Sequence, residues 1–212
     1  MTASAKSLFK ALKRQDRPTE SRRENDFYPT GEPEAVRSLL SRDGDRIRSL
    51  GKVWEPAVGA GDMAREFEAD GIEVVGSDLI DRGWPGTIIK SYFDFKESLA
   101  RSKITNPPYD LINARDGHGR WLRHMLNMPG WDYAALLLSW DWPAAKINGL
   151  GAMLDENPFS YCYLMRWKLD FTGQGSPPQR NAWFVWDKSW PHKEPAFRLL
   201  DREDGRQGNL DI

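Results

Sequence analysis

Cysteine is almost absent from this 212-residue chain. Cys162 stands alone, so no internal disulfide can form and a reducing cytoplasm is the expected home. Histidine is nearly as scarce: His118, His124 and His192 have no companion cysteines and show neither H-x-x-x-H nor C-x-x-C spacing, which argues against a bound metal. The sequence has no apolar segment of membrane length and no secretory hydrophobic region, so no membrane partner is expected. Charge of one sign is lacking too. With 30 basic and 31 acidic residues the formal net charge is −1, which does not advertise a nucleic-acid partner by itself. Internal repeats are missing, and low complexity is confined to a polar tail.

What is present fits one folded unit. An apolar content of 40% over 212 residues can bury a proper core but leaves little room for a separate target-recognition domain. The expected organisation is a basic arm over residues 1–23, a single domain over 24–200 and the polar tail over 201–212. The arm carries seven bases (Lys6, Lys10, Lys13, Arg14, Arg17, Arg22, Arg23) against Asp16 and Glu20, and a solvated arm of this kind can grip phosphates in a salt-dependent way. Of the ten tryptophans, Trp54, Trp140, Trp167, Trp183 and Trp186 fall on expected strands, where packing accounts for them.

The periodicity alternates between strand and helix, which predicts an α/β fold with a mostly parallel sheet. Residues 32–50 read as a helix with Pro33 in its first turn and an apolar face of Ala35, Val36, Leu39 and Leu40. Strand 52–57, helix 64–69 and strand 72–77 follow. The spacing then predicts a strand over 87–92, a short helix over 96–100, a strand over 102–105, a polar loop over 111–118 and a helix over 121–128. The apolar run 133–140 reads as a central strand covered on both faces. Two aromatic strands, 161–171 and 181–187, make a terminal antiparallel pair around a Gly- and Pro-rich loop.

Two motifs carry chemistry. The first is Val58-Gly59-Ala60-Gly61-Asp62-Met63, a glycine turn between a strand and a helix N-terminus, the arrangement that lets a cofactor approach backbone amides. Asp78 stands 17 residues after Gly61, at the end of the next strand, where an acidic side chain meets ribose hydroxyls. A nicotinamide cofactor would use much the same parts, and Gly59 to Ala64 satisfies G-x-G-x-x-A. The second motif, Asn106-Pro107-Pro108-Tyr109, lies 45 residues beyond Gly61 and is unexplained by a dehydrogenase. An exocyclic amine or amide nitrogen is a poor nucleophile because its lone pair is delocalised. The Asn106 side-chain carbonyl and the Pro107 backbone carbonyl can accept both N–H groups, localise the pair and aim it at an electrophilic methyl. Tyr109 offers a face on which an extruded base can stack.

In this order the pieces resemble the S-adenosylmethionine-dependent amino-methyltransferases, specifically the N6-adenine DNA methyltransferases, small phage and prophage members included. The matching series is Asp26-Phe27-Tyr28-Pro29-Thr30, Glu55 to Met63, Ser77-Asp78, Asp94-Phe95 and Asn106 to Tyr109. The resemblance implies a Rossmann-like class I methyltransferase with a mostly parallel seven-stranded sheet and an antiparallel C-terminal strand. It implies S-adenosylmethionine as cofactor and duplex DNA with a flipped adenine as partner. Tyr28, Pro29 and Thr30 are then placed at the methionine end of the cofactor, Glu55, Ala57, Gly59, Gly61, Asp62 and Met63 along it, and Asn106 against it as well as at the target amine. Asp78 and Leu79 are placed at the ribose, Asp94 at the adenine amino group and Phe95 on the adenine ring. Asp94 reads equally as the N-cap of the 96–100 helix, and Phe95 as a core aromatic. By the same resemblance Phe171, Thr172, Arg180 and Asn181 are candidates for contact with the target base or its phosphate, and the loop 114–121 is a candidate flap.

The lone Cys162, in an apolar run, is no loop-borne thiolate, so cytosine C5 chemistry is excluded. Cytosine N4, protein glutamine N5 and RNA adenine share the planar-nitrogen logic and stay open as acceptors, as does a non-catalytic cofactor-binding role.

Overall fold

Residues 133–139 form a strand with scarcely a polar side chain because both faces are covered. Tyr133, Ala135 and Leu137 enter one core, whereas Ala134, Leu136 and Leu138 enter another on the opposite side of the sheet. The computed structural model describes residues 30–113, 118–145, 149–171, 175 and 179–202. The basic arm, Tyr28, Pro29, Thr172, part of the 114–121 loop and most of the tail lie outside the described residues.

Around that central strand the chain alternates strand and helix: α1 (Glu34–Ser49), β1 (Val53–Glu55), α2 (Asp62–Ala69), β2 (Val74–Asp78), β3 (Ile88–Ile89), β4 (Ser102–Thr105), α3 (Tyr109–Ile112), α4 (Arg120–Asn127), β5 (Tyr133–Ser139), α5 (Leu150–Glu156), β6 (Tyr161–Met165), β7 (Asn181–Asp187) and β8 (Ala196–Leu200). The sheet order is β3-β2-β1-β4-β5-β7-β6-β8. All neighbours run parallel except β7, which is antiparallel to both β5 and β6. Apolar faces of α1 and α2 cover one side through Ala35, Leu39, Ile47, Met63 and Phe67. On the other side α4 and α5 contribute Trp121, Leu122, Met125, Leu150 and Met153.

The topology positions the site. From β1 the chain winds outward to β2 and β3, then returns across β1 to β4 and winds the other way to β5. The carboxyl ends of β1 and β4 therefore diverge at a switch point, the crevice where open α/β sheets bind ligands. Glu55 ends β1 and Asn106 directly follows β4. One sequence reading and one fold thus bring both motifs to the same edge.

Several expectations need correction. The sheet has eight strands rather than seven; its antiparallel strand is β7, near the C-terminus as expected, and lies inside the sheet. β8 escapes sequence reading because Phe197 and Leu199 are exposed, so its apolar residues do not trace a buried face. The short helix α5, seven residues after a left-handed Gly149, was likewise not anticipated. Residues 96–100 are not helical: the Ser98 N–H donates to Pro129 O and its hydroxyl to Ala100 O, so tertiary partners take the groups a helix would need. Asp94 accordingly caps nothing and closes a short 3-10 turn, Tyr92–Asp94. The expected strand 87–92 shrinks to Ile88–Ile89, and the strand expected to reach Phe171 stops at Met165. Trp140 and Trp167 lie just past β5 and β6, with Trp140 half exposed. Among the described residues no helix is long and apolar enough to cross a membrane.

Candidate active site

A cleft of about 280 Å³ opens at the switch point. Its floor is the chain leaving β1, Glu55 to Ala60. One wall carries Asp78, Leu79 and Arg82, and another Ser91, Tyr92, Phe93 and Trp121. Thr30 and the turn Asn106 to Leu111 complete it.

The acceptors in this cleft are fixed by backbone donors. Asp78 Oδ2 accepts from the Gly59 N–H at 2.9 Å and its Oδ1 from the Ile80 N–H at 3.2 Å, so the carboxylate is held at the end of β2 facing the turn after β1. Glu55 is almost fully buried, and among the described residues its Oε2 has no hydrogen-bond partner. Burial pushes its carboxyl well above the ordinary carboxylate range, and the charges of Asp62 and Asp78 add to the shift against the pull of the Ala64 N–H. A buried acceptor without a donor on a cleft wall suits a ligand that brings its own N–H.

Asn106 is oriented by a residue 76 positions away. Its Nδ2 donates to Thr30 Oγ1 at 3.0 Å, so the amide presents Oδ1 as its acceptor edge. The two prolines carry the chain from β4 into the single turn of α3, which begins at Tyr109. Asn181, fully buried at the start of β7, places Nδ2 3.5 Å from Tyr109 Oη.

The glycine turn departs from its simplest reading. Gly61, at φ +83°, has no place on the cleft wall; a Cβ there would lie 1.9 Å from Trp84 Cδ1. A Cβ added at Gly76 would meet the same indole, 2.6 Å from Cζ3. Gly61 therefore admits Trp84, which closes a small core of Val58, Ala64 and Val74 behind the turn. Gly61→Ala is expected to cost at least about 2 kcal/mol, since left-handed backbone and overpacking act together, and urea unfolding measures it.

The cleft wall thus includes Thr30, Glu55, Ala57, Gly59, Asp62, Met63, Asp78, Leu79 and Asn106 to Tyr109. Asp94 and Phe95 are not on it. Asp94 is exposed, and Phe95 packs edge-on to Trp54 in the core with ring centroids 4.9 Å apart. Tyr92 and Phe93, which sequence reading did not single out, line the cleft instead. The run Tyr92-Phe93-Asp94-Phe95 held the signal, but a 3-10 turn decides which ring faces the cleft. Phe171 packs against the core on the α1 side, and Arg180 is exposed, donating to Arg166 O at 2.8 Å beside β6, away from the cleft. Sequence reading also missed Arg82, Ser91, Asp110 and Leu111. Trp121, the last residue of the candidate flap, lies on α4 and reaches the cleft wall by stacking against Tyr92 at 4.0 Å.

A strand order of 3-2-1-4-5-7-6 with the antiparallel strand next to β5, extended by β8, decides the architecture. The fold is that of class I methyltransferases. No family model and no curated protein matches the sequence, but solved structures do match the fold. A Listeria monocytogenes protein described as a class I S-adenosylmethionine-dependent methyltransferase has a TM-score of 0.58 at 12% identity, over 92% of this chain and 70% of its own. DrdV, from a complex with DNA, has 0.56 at 13%, over 93% of this chain and 30% of its own. A modification subunit of a type I restriction enzyme from Vibrio vulnificus has 0.54 at 14%. This chain is covered to 95% in that match but spans about half, 51%, of the Vibrio subunit.

Proposed function

We propose that the protein transfers a methyl group from S-adenosylmethionine to the exocyclic N6 of adenine in DNA. The observation that carries this reading is the meeting in one cleft of an oriented Asn106 amide and the acceptor pair Glu55 and Asp78. The residues fit the donor. Asp78, braced by two N–H groups, suits the ribose hydroxyls, and the orphaned Glu55 oxygen suits the ammonium of the methionine part. Four acidic residues, Glu55, Asp62, Asp78 and Asp110, line the cleft together with Arg82, an excess of acid that suits a cationic ligand. When bound, the donor supplies an electrophilic methyl on a sulfonium.

The chain's own part is positioning. Asn106 Oδ1 and the Pro107 carbonyl accept the two amine hydrogens and turn the nitrogen lone pair out of the ring plane. Tyr109 stacks on the extruded base, and Asn181 steadies its hydroxyl. The N6–C bond forms as the methyl–sulfur bond breaks, the electron pair stays on sulfur, and the surplus proton leaves to water. No covalent enzyme intermediate is needed. DNA as acceptor is supported by the DNA-bound DrdV and the restriction-enzyme subunit among proteins of the same fold, and N6 of adenine by the Asn-Pro-Pro-Tyr resemblance.

Incubation with isotope-labelled donor and unmethylated duplex DNA, followed by nucleoside mass analysis, tests the proposal. Label in N6-methyladenine is expected. Label in N4-methylcytosine, or in protein glutamine with none in DNA, would replace the assigned acceptor. The basic arm adds a second expectation. Removing residues 2–23 takes away seven bases and should flatten the slope of log affinity for DNA against log salt by up to about six, read by fluorescence anisotropy across a salt series.

A further inference from the structure

Lys103 lies in the middle of β4, three residues before Asn106, and is fully buried. Its Nζ sits 5.1 Å from the ring centroid of Trp54, 5.6 Å from Tyr92 and 5.9 Å from Trp131. It is 3.4 Å from Tyr92 Oη and 3.3 Å from Met128 Sδ. Among the described residues no carboxylate forms an ion pair with it. A lone amine in an aromatic cage is a costly thing to bury, and the chemistry above does not use it.

What the cage touches gives it a role. Tyr92, whose hydroxyl meets Lys103, stacks on Trp121 at 4.0 Å and 15°, and both rings line the cleft. His124, on α4, stands edge-on to Tyr92 at 4.9 Å. Lys188, just beyond β7, places its Nζ 4.3 Å from the Trp131 centroid, and the charge of Lys96 reaches His124. Burial, and then the charge of Lys188, lower the Lys103 amine from its usual value to about 7. Burial likewise lowers His124 from its usual value.

We propose that Lys103 is a positioning residue for the methyl-donor cleft: its ammonium, held by the faces of Trp54 and Tyr92 and by the Tyr92 hydroxyl, braces the Tyr92–Trp121 wall. Loss of its proton removes the cation–π attraction and leaves that wall looser, so the donor binds less tightly although Lys103 never touches it. The inference rests on the cleft being the donor site.

The test measures dissociation constants of S-adenosylmethionine and of S-adenosylhomocysteine by calorimetry on the full chain from pH 6 to 8.5. In the wild type both constants should rise roughly three- to tenfold across pH 7, a part of the worth of one desolvated cation–π contact, because Lys103 acts on the cleft only through Tyr92. Lys103→Met should bind both ligands weakly at every pH, with no step, and His124→Gln should keep the step. A step for the charged ligand alone would assign the effect to direct repulsion and overturn the proposal, as would a flat wild type or a step surviving in Lys103→Met. Near-ultraviolet circular dichroism of the ligand-free protein separates this idea from the reading of the cleft. If neither ligand binds, the donor assignment fails. An aromatic signal that still titrates near pH 7, and is lost in Lys103→Met, keeps the brace, whereas a signal that does not titrate overturns it.

Discussion

Asn106→Ala is expected to lower kcat for methyl transfer by roughly 10²- to 10³-fold while leaving donor affinity within about threefold. That ratio is the size of one preorganised hydrogen-bonding group acting where charge changes in the transition state. The asymmetry follows from geometry. Donor recognition is assigned to Glu55, Asp78 and the backbone after β1, whereas the Asn106 amide is turned by Thr30 to present Oδ1 to an incoming amine. Single-turnover rates and equilibrium binding, measured on one preparation, separate the two. Equal losses in binding and rate would move Asn106 into the donor site and leave the acceptor amine without its assigned partner. Asn106→Asp is the sharper companion, because it keeps an acceptor of the same length but gives up the N–H that Thr30 receives.

How far this site could be read from the chain depends on the range of the forces involved. Local signals carried β1, the turn and α2, because a buried apolar strand, a glycine turn and a helical period are written in neighbouring residues. They also carried Asp78 to the end of β2 and Asn106 to the end of β4. Where a side chain's place depends on a distant partner, the sequence left it open. Nothing near Gly61 says that its missing side chain makes room for Trp84, 23 residues on. Phe95 reads both as a ring on the cofactor and as a core aromatic, and it packs in the core against Trp54 while Tyr92 and Phe93 line the cleft. Neither the Thr30 contact to Asn106 nor the lysine beneath Tyr92 has any local signature. β8 has little either, since its apolar side chains Phe197 and Leu199 face solvent and only its pairing with β6 defines it.

That strand matters to the second large effect, at Asp43. Asp43 is buried on α1 and accepts hydrogen bonds from three phenols: Tyr133 at 2.7 Å, Tyr161 at 3.0 Å and Tyr163 at 2.7 Å. The Tyr163 hydroxyl in turn accepts from Arg198 Nη1 on β8 at 3.1 Å, so the cluster links α1, β5, β6 and β8. Asp43→Ala removes the acceptor common to all three and strands three hydroxyls inside the core. The expected cost is about 3–5 kcal/mol, read as a lowered urea midpoint. The same cluster sets an alkaline limit. Burial first, and then the charge of Asp43, raise all three phenols above their usual value. Above about pH 10 the unfolded chain therefore releases phenolic protons that the folded chain keeps, and stability must fall as pH rises further. Below pH 10 these groups are protonated in both states and their contribution is complete. Because α1 follows directly on the segment that carries Thr30, loosening Asp43 should reach the active site as well. A urea series at pH 8 and pH 10.5, with methyl transfer followed in parallel, would show activity of Asp43→Ala declining before global unfolding if α1 is what holds Thr30 against Asn106.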